Sequence, residues 1–334
     1  MATPTLTPAE VAELQQNAKT PEQLGIEMRV TERRISFEGV NAIQADENVT
    51  IPLLRVPTDQ PGAPGSLYRV PVMTATVNGK SGVRVLLDSG SNRNLFGYTS
   101  AHSLGIPIIA ELKPIAGYGI GGAVDNYAAV IDSIQIGSVA LRKVIAIVGP
   151  DAQVLNFMRG LQDQAQVMIL GVNALRRLSY LTIDSLRGKV ILGATDSYLP
   201  DDTLKFMTTV PLHWVGELPA VDVSIDGTDP VLCLLDTGGD YGMILPRTKA
   251  IELDYWKPGK GSVTTSRGVG GASLSANYLI TQARVGGETL DHIPGNTTLV
   301  GPEPGGGQVF LGNYMLRHYR LTFDFKRSVL WLER

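Results

Sequence analysis

Apolar residues fall in short runs rich in Val, Ile and Thr, broken by Gly, Pro and Asn-Gly or Asp-Gly pairs, a pattern that predicts many short strands and few long helices. Residues 68–90 (YRVPVMTATVNGKSGVRVLLDSG) read as a strand, an Asn78-Gly79 turn and a second strand ending at Asp88-Ser89-Gly90. Residues 216–238 (GELPAVDVSIDGTDPVLCLLDTG) repeat it: a strand, an Asp226-Gly227 turn, and a strand ending at Asp236-Thr237-Gly238. Both turn pairs favour a two-residue hairpin, because each central position tolerates positive φ. The prolines, the turn glycines and the aspartates of the two copies stand 148 residues apart.

The correspondence continues downstream in order. Gly119-Ile120-Gly121-Gly122-Ala123 matches Gly268-Val269-Gly270-Gly271-Ala272, Val148-Gly149-Pro150 matches Val300-Gly301-Pro302, and Ile169-Leu170-Gly171 matches Phe310-Leu311-Gly312. The ends match as well, LRRLSYLTIDSLRGKVIL against LRHYRLTFDFKRSVLWL, and the first copy carries 11 extra residues around DAQVLNFMRGLQDQAQ that read as a short helix or a loop. An internal repeat divides the chain into a first lobe over 67–193, a polar, turn-rich linker over 194–208 and a second lobe over 209–334. Residues 1–66 have no counterpart; Thr7-Pro8-Ala9-Glu10 and Thr20-Pro21-Glu22-Gln23 have capping-box spacing and predict two short helices, and residues 26–56 alternate loosely enough to add strands.

Composition removes several classes of chemistry. The 334 residues are 43% hydrophobic and 18% charged, enough to bury a sizeable core. A net charge of −3 and only isolated basic pairs argue against a nucleic-acid surface. Cys233 is the single cysteine, and the four histidines lack HExxH or HxxxH spacing, so neither an internal disulfide nor a zinc site is expected. No apolar run approaches the roughly 20 residues of a membrane span. The start MATPTLTPAEV lacks a signal-peptide pattern, which reads as a soluble protein, cytoplasmic or exported after loss of a leader.

A carboxylate ending an apolar strand is costly to bury unless it is held by donors, and a following Ser or Thr and Gly supply hydroxyl and N–H groups in a compact turn. One Asp-Ser-Gly is an ordinary turn; its recurrence at the matching place of a second copy makes Asp88 and Asp236 the candidate reactive pair. The runs LLDSGS…GYGIGGA…IVGPD…MILGVNAL and LLDTGG…RGVGGA…LVGPEP…VFLGNYML resemble the retroviral protease (retropepsin) family of aspartic peptidases, here with both halves in one chain as in the pepsin-like enzymes. The resemblance covers residues 67–193 and 209–334.

The resemblance implies a mainly β, two-lobed acid-protease fold, each lobe a closed β-barrel with short helices. It implies an aspartic endopeptidase that hydrolyses peptide bonds with a water activated between Asp88 and Asp236 in an inter-lobe cleft. It requires no cofactor and no metal, takes a peptide or protein as substrate, and suits a monomer. Ser89, Gly90, Ser91, Thr237 and Gly238 would support the pair, with the Ser89 and Thr237 hydroxyls bonding across the interface. Tyr118, Gly119, Ile120, Gly121 and Gly122, and Gly268, Val269, Gly270 and Gly271, would form substrate-covering flaps. Ser91 is a possible donor to Asp88 whereas Gly239 has no side chain, which makes Asp88 the expected acidic partner and Asp236 the proton holder.

Competing readings are weaker. Gly119-Ile120-Gly121-Gly122 precedes a strand-like segment, unlike a phosphate loop, and Thr74 stands where a Walker sequence needs glycine. Arg267, at the position of Tyr118 in the second copy, reads as a solvated surface charge; Cys233 as core; His213 and Trp214 as unassigned; Asp184 and Asp324 as structural turn residues. A glycosidase pair would want sugar-stacking aromatics, which are only 6% of the chain. A latent or inactive peptide-binding protein on the same fold is the alternative to the enzyme.

Overall fold

The computed structural model describes residues 4–31, 35–56, 68–110, 112–120, 122–155, 166–258 and 262–334, and is mainly β with short helices. The Asn78-Gly79 and Asp226-Gly227 turns take positive φ at all four residues, the conformation that sets the right twist for a two-residue hairpin. Strand Lys80–Asp88 begins exposed and ends with Val85, Leu86, Leu87 and Asp88 buried, because its C-terminal half is covered on both faces.

In the first half, strand Val139–Gly149 pairs in turn with Asn94–Gly97, Val167–Gly171, Lys80–Asp88, Val72–Val77 and Gly122–Ile136, and the last pairs back to the first. The second half has a ring of the same order: Glu288–Thr298, Met243–Ile244, Val309–Gly312, Val231–Asp236, Leu218–Ile225 and Gly271–Val285. In each ring the strand bearing the aspartate runs parallel to the one ending in glycine, with Asp88 opposite Gly171 and Asp236 opposite Gly312.

A third, six-stranded sheet joins the halves. Tyr180–Asp184 and Arg320–Asp324 lie antiparallel at its centre, and the buried hydroxyls of Thr182 and Thr322 meet at 2.8 Å. Asp184 and Asp324, both fully buried, accept the backbone N–H of Arg187 and Arg327 at 3.0 Å and close the turns that follow them.

One edge of this sheet comes from the N-terminal residues, and the other straddles the boundary between the linker and the second lobe. Val49–Pro52 pairs with Lys189–Gly193 on one side, and Phe206–Pro211 with Val329–Glu333 on the other. The N-terminal residues thus contribute an edge strand to the sheet that joins the halves, on the side of the first half. The stretch 194–208, expected as a linker, already enters a strand at Phe206, because buried Val210 docks that strand onto the sheet. Thr7 and Thr20 cap helices Pro8–Gln16 and Pro21–Leu24. The extra residues of the first half begin with helix Asp151–Leu155, and residues 156–165 lie outside the described set.

One apolar core runs through both halves and the connecting sheet, including Val85, Leu87, Leu181, Val221, Leu235 and Phe323. Cys233 is fully buried in it. Among the described residues no helix is long and apolar enough to cross a membrane.

Candidate active site

Asp88 and Asp236 meet where the two halves face each other. The Ser89 N–H donates to Thr237 Oγ1 at 3.0 Å and the Thr237 N–H donates to Ser89 Oγ at 3.0 Å. Each hydroxyl then donates onward to the other half's main chain, Ser89 to the Leu235 carbonyl at 2.7 Å and Thr237 to the Leu87 carbonyl at 2.8 Å. These four buried bonds fix the backbone before each aspartate relative to the other, so neither carboxylate can shift alone.

The glycines complete the approach. A Cβ on Gly90 would lie 2.5 Å from Asp236 Cγ, and one on Gly238 would lie 2.5 Å from Asp88 Cγ. Each carboxylate rests on the opposite half's glycine, and any side chain there would push the pair apart.

The two carboxylates differ in their donors. Asp88 accepts the Gly90 N–H at 2.8 Å and the Ser91 N–H also favours its charged form, but burial first, then the neighbouring Asp236 charge, raise it well above the usual carboxylate range. Asp236 is also raised by burial, but the Tyr241 hydroxyl donates to its Oδ2, and the Gly238 and Gly239 N–H groups also favour its charged form. Burial and the Asp236 charge raise Tyr241 well above an ordinary phenol, so its hydroxyl stays protonated as a donor.

This reverses the assignment made from sequence. Ser91 Oγ donates to the Arg93 carbonyl at 2.8 Å instead of reaching Asp88, whereas the half that has Gly239 gains its donor from Tyr241. Asp88 is therefore the member raised further, and Asp236 the one whose charged form has a side-chain donor from outside the pair. Tyr241 was missed because it stands five residues after Asp236, at the position of Arg93 in the first copy. The glycines at 239 and 312 were its only signal: a Cβ on either would strike its ring.

The Gly-rich segments form two hairpins, Ile115–Gly119 with Gly122–Ile136 and Ser262–Gly268 with Gly271–Val285, closed by the pairs Gly119–Gly122 and Gly268–Gly271. Their tips touch, the Gly270 N–H donating to the Ile120 carbonyl at 2.9 Å. Each tip packs on the other half: Ile120 against Ala220, Leu234, Ile244 and Phe310, and Val269 against the cluster containing Val72, Leu86, Leu95 and Ile169. Gly121 lies outside the described residues, as does the side chain of Tyr118.

Beneath the tips is a cavity of about 750 Å³ whose lining includes Asp88, Asp236, Ile120, Tyr241, Arg267 and Val269. Arg267, expected as a plain surface charge, is exposed and also borders this cavity. Beside the pair, Asp240 is held by Arg317 at 3.1 Å and Arg69 at 3.7 Å, with Arg317 almost fully buried. His213 pairs with Asp222 at 3.1 Å and lies outside the cavity lining.

The arrangement offers one buried acid, one donor-supported carboxylate and a roofed trough across them. No curated protein matches the chain. A family model described as aspartyl protease matches residues 73–174, the segment carrying Asp88, Ser89, the first hairpin and Gly171, and supports an aspartyl protease family for the chain.

Proposed function

We propose that the protein is an aspartic endopeptidase built from two duplicated, retropepsin-like lobes, with Asp88 and Asp236 as its catalytic residues. The observation that carries this reading is the reciprocal Ser89–Thr237 lock, which brings two buried carboxylates together under paired hairpins. Two coupled carboxylates share one proton over an acidic range. Asp236, supported by Tyr241, is the general base that takes a proton from a water held between the pair. Asp88, holding the shared proton, donates to the scissile carbonyl as the water oxygen adds to its carbon.

The resulting tetrahedral diol is neutral. The proton gained by Asp236 then passes to the leaving nitrogen as the C–N bond breaks, and Asp88 recovers its proton from the diol hydroxyl that becomes the new carboxyl. No covalent intermediate with the protein is needed. Ile147 and Ile169 on one side, and Ile244 and Phe310 on the other, give the cavity apolar walls suited to side chains flanking the bond. The hairpin tips must part to admit a chain, and closing again excludes water from the trough.

The test is cleavage of an unfolded peptide library across pH 3 to 8, read by mass spectrometry, for wild type, Asp88→Asn and Asp236→Asn. Cleavage by wild type and by neither variant supports the endopeptidase. Silence from all three, with retained peptide affinity, identifies a binding protein instead.

A further inference from the structure

Six charged side chains border the cavity: Asp88, Asp236, Arg69, Arg93, Asp240 and Arg267. Five have partners. The two carboxylates face each other, Arg69 and Asp240 belong to one ion-pair cluster, and Arg93 donates to Glu217 at 2.8 Å. Arg267 alone has no hydrogen bond or ion pair among the described residues.

Its setting is polar. Arg267 stands opposite Ala272 in the second hairpin, beside Gly268, where an added Cβ would lie 2.7 Å from Ile120 Cβ of the other tip. Thr264, Thr265 and Ser266 of the same strand also border the cavity, in contrast to the apolar walls beside the carboxylates. The charges bordering the cavity are balanced in number, three arginines and three aspartates, but Arg69 and Arg93 are engaged and the two carboxylates face each other. Arg267 is thus the cation of the lining left to meet a ligand.

A guanidinium presents a planar fork of donors that matches a carboxylate. Resting on the endopeptidase reading above, we propose that Arg267 is a specificity-determining residue, selecting peptides that carry an Asp or Glu side chain on the flank of the scissile bond lying under the second hairpin. The first half has Tyr118 at the matching position, so the preference belongs to one flank only.

The experiment uses peptide pairs differing only by Glu against Gln at successive positions on both sides of the cleaved bond. All are acetylated and amidated, and are assayed above the Glu pKa of about 4.3. Wild type is expected to favour the Glu member about 10- to 100-fold in kcat/KM at one position on one flank, mainly through KM. In Arg267→Gln that ratio falls to near one, and in Arg267→Glu it inverts toward Lys over Gln. Equal cleavage of every pair by wild type, or a ratio that survives Arg267→Gln, overturns the proposal while leaving the endopeptidase intact. A preference seen only in a parallel set with a free C-terminal carboxylate also overturns it, by assigning Arg267 to the chain terminus. No cleavage of any peptide by wild type overturns the endopeptidase reading itself.

Discussion

The two halves share one order of strand pairing and diverge where the aspartates are dressed. In the first, Ser91 turns its hydroxyl to the Arg93 carbonyl and Arg93 reaches out to Glu217, leaving Asp88 with backbone donors only. In the second, glycine at 239 opens room for Tyr241, whose hydroxyl turns inward onto Asp236. One order of strand pairing thus holds chemically unequal carboxylates. A symmetric frame brings the pair together; side chains a few residues downstream give its members different donors.

The largest effect expected from breaking this comparison is loss of either carboxylate. Asp88→Asn and Asp236→Asn should each lower kcat by about 10³-fold or more, since one removes the acid and the other the base. Peptide cleavage at the optimum pH measures it; a variant retaining near-wild-type turnover would end the assignment of that residue.

Next is the glycine contact. Gly238→Ala places a methyl against Asp88 and Gly90→Ala one against Asp236, and displacing a reacting group by about 1 Å costs around 10²-fold in kcat. Circular dichroism on the same samples separates a displaced carboxylate from a lost fold.

Tyr241→Phe keeps the ring and removes the donor. Because that hydroxyl favours ionised Asp236, its loss raises the carboxylate pKa, so the acid limb of kcat/KM should move to higher pH by about one unit. Ser91→Ala should leave the limb in place, because its hydroxyl does not reach the pair. Equal shifts in both variants would erase the difference between the halves.

The smallest effect is on stability. The native pKa of Asp88 lies above its unfolded value of about 3.9, so its favourable contribution is full below that pH and is lost as pH rises through the native pKa. Asp88→Asn escapes that loss and should be more stable than wild type at pH 7, with the gain fading toward pH 4. Asp236→Asn should gain less, as donors already offset part of the burial penalty of Asp236. Denaturant unfolding at the two pH values reads both.

The N-terminal residues mark a second contrast. Leu24 and Ile26 are buried with Ile109, Ala128 and Val130 of the first half, whereas Leu279 in the matching strand of the second half remains exposed. The repeat gives no warning of this, because the covering segment occurs once in the chain.

What the sequence by itself determined was local or repeated. The Asn78-Gly79 and Asp226-Gly227 hairpins, the mainly β character, the paired Asp-Ser/Thr-Gly turns and the Gly-rich tips follow from turn chemistry and apolar spacing, which act over a few residues. Only the tertiary structure decided that Val49–Pro52 and Phe206–Pro211 edge the shared sheet, because strand pairing at an edge depends on which strand is left open. It also decided that each tip packs on the opposite half, and that Tyr241 rather than Ser91 serves the pair. A hydroxyl acts only where its rotamer and the space around it aim it, and that space is made by residues distant in the chain, here Gly312 closing on the Tyr241 ring.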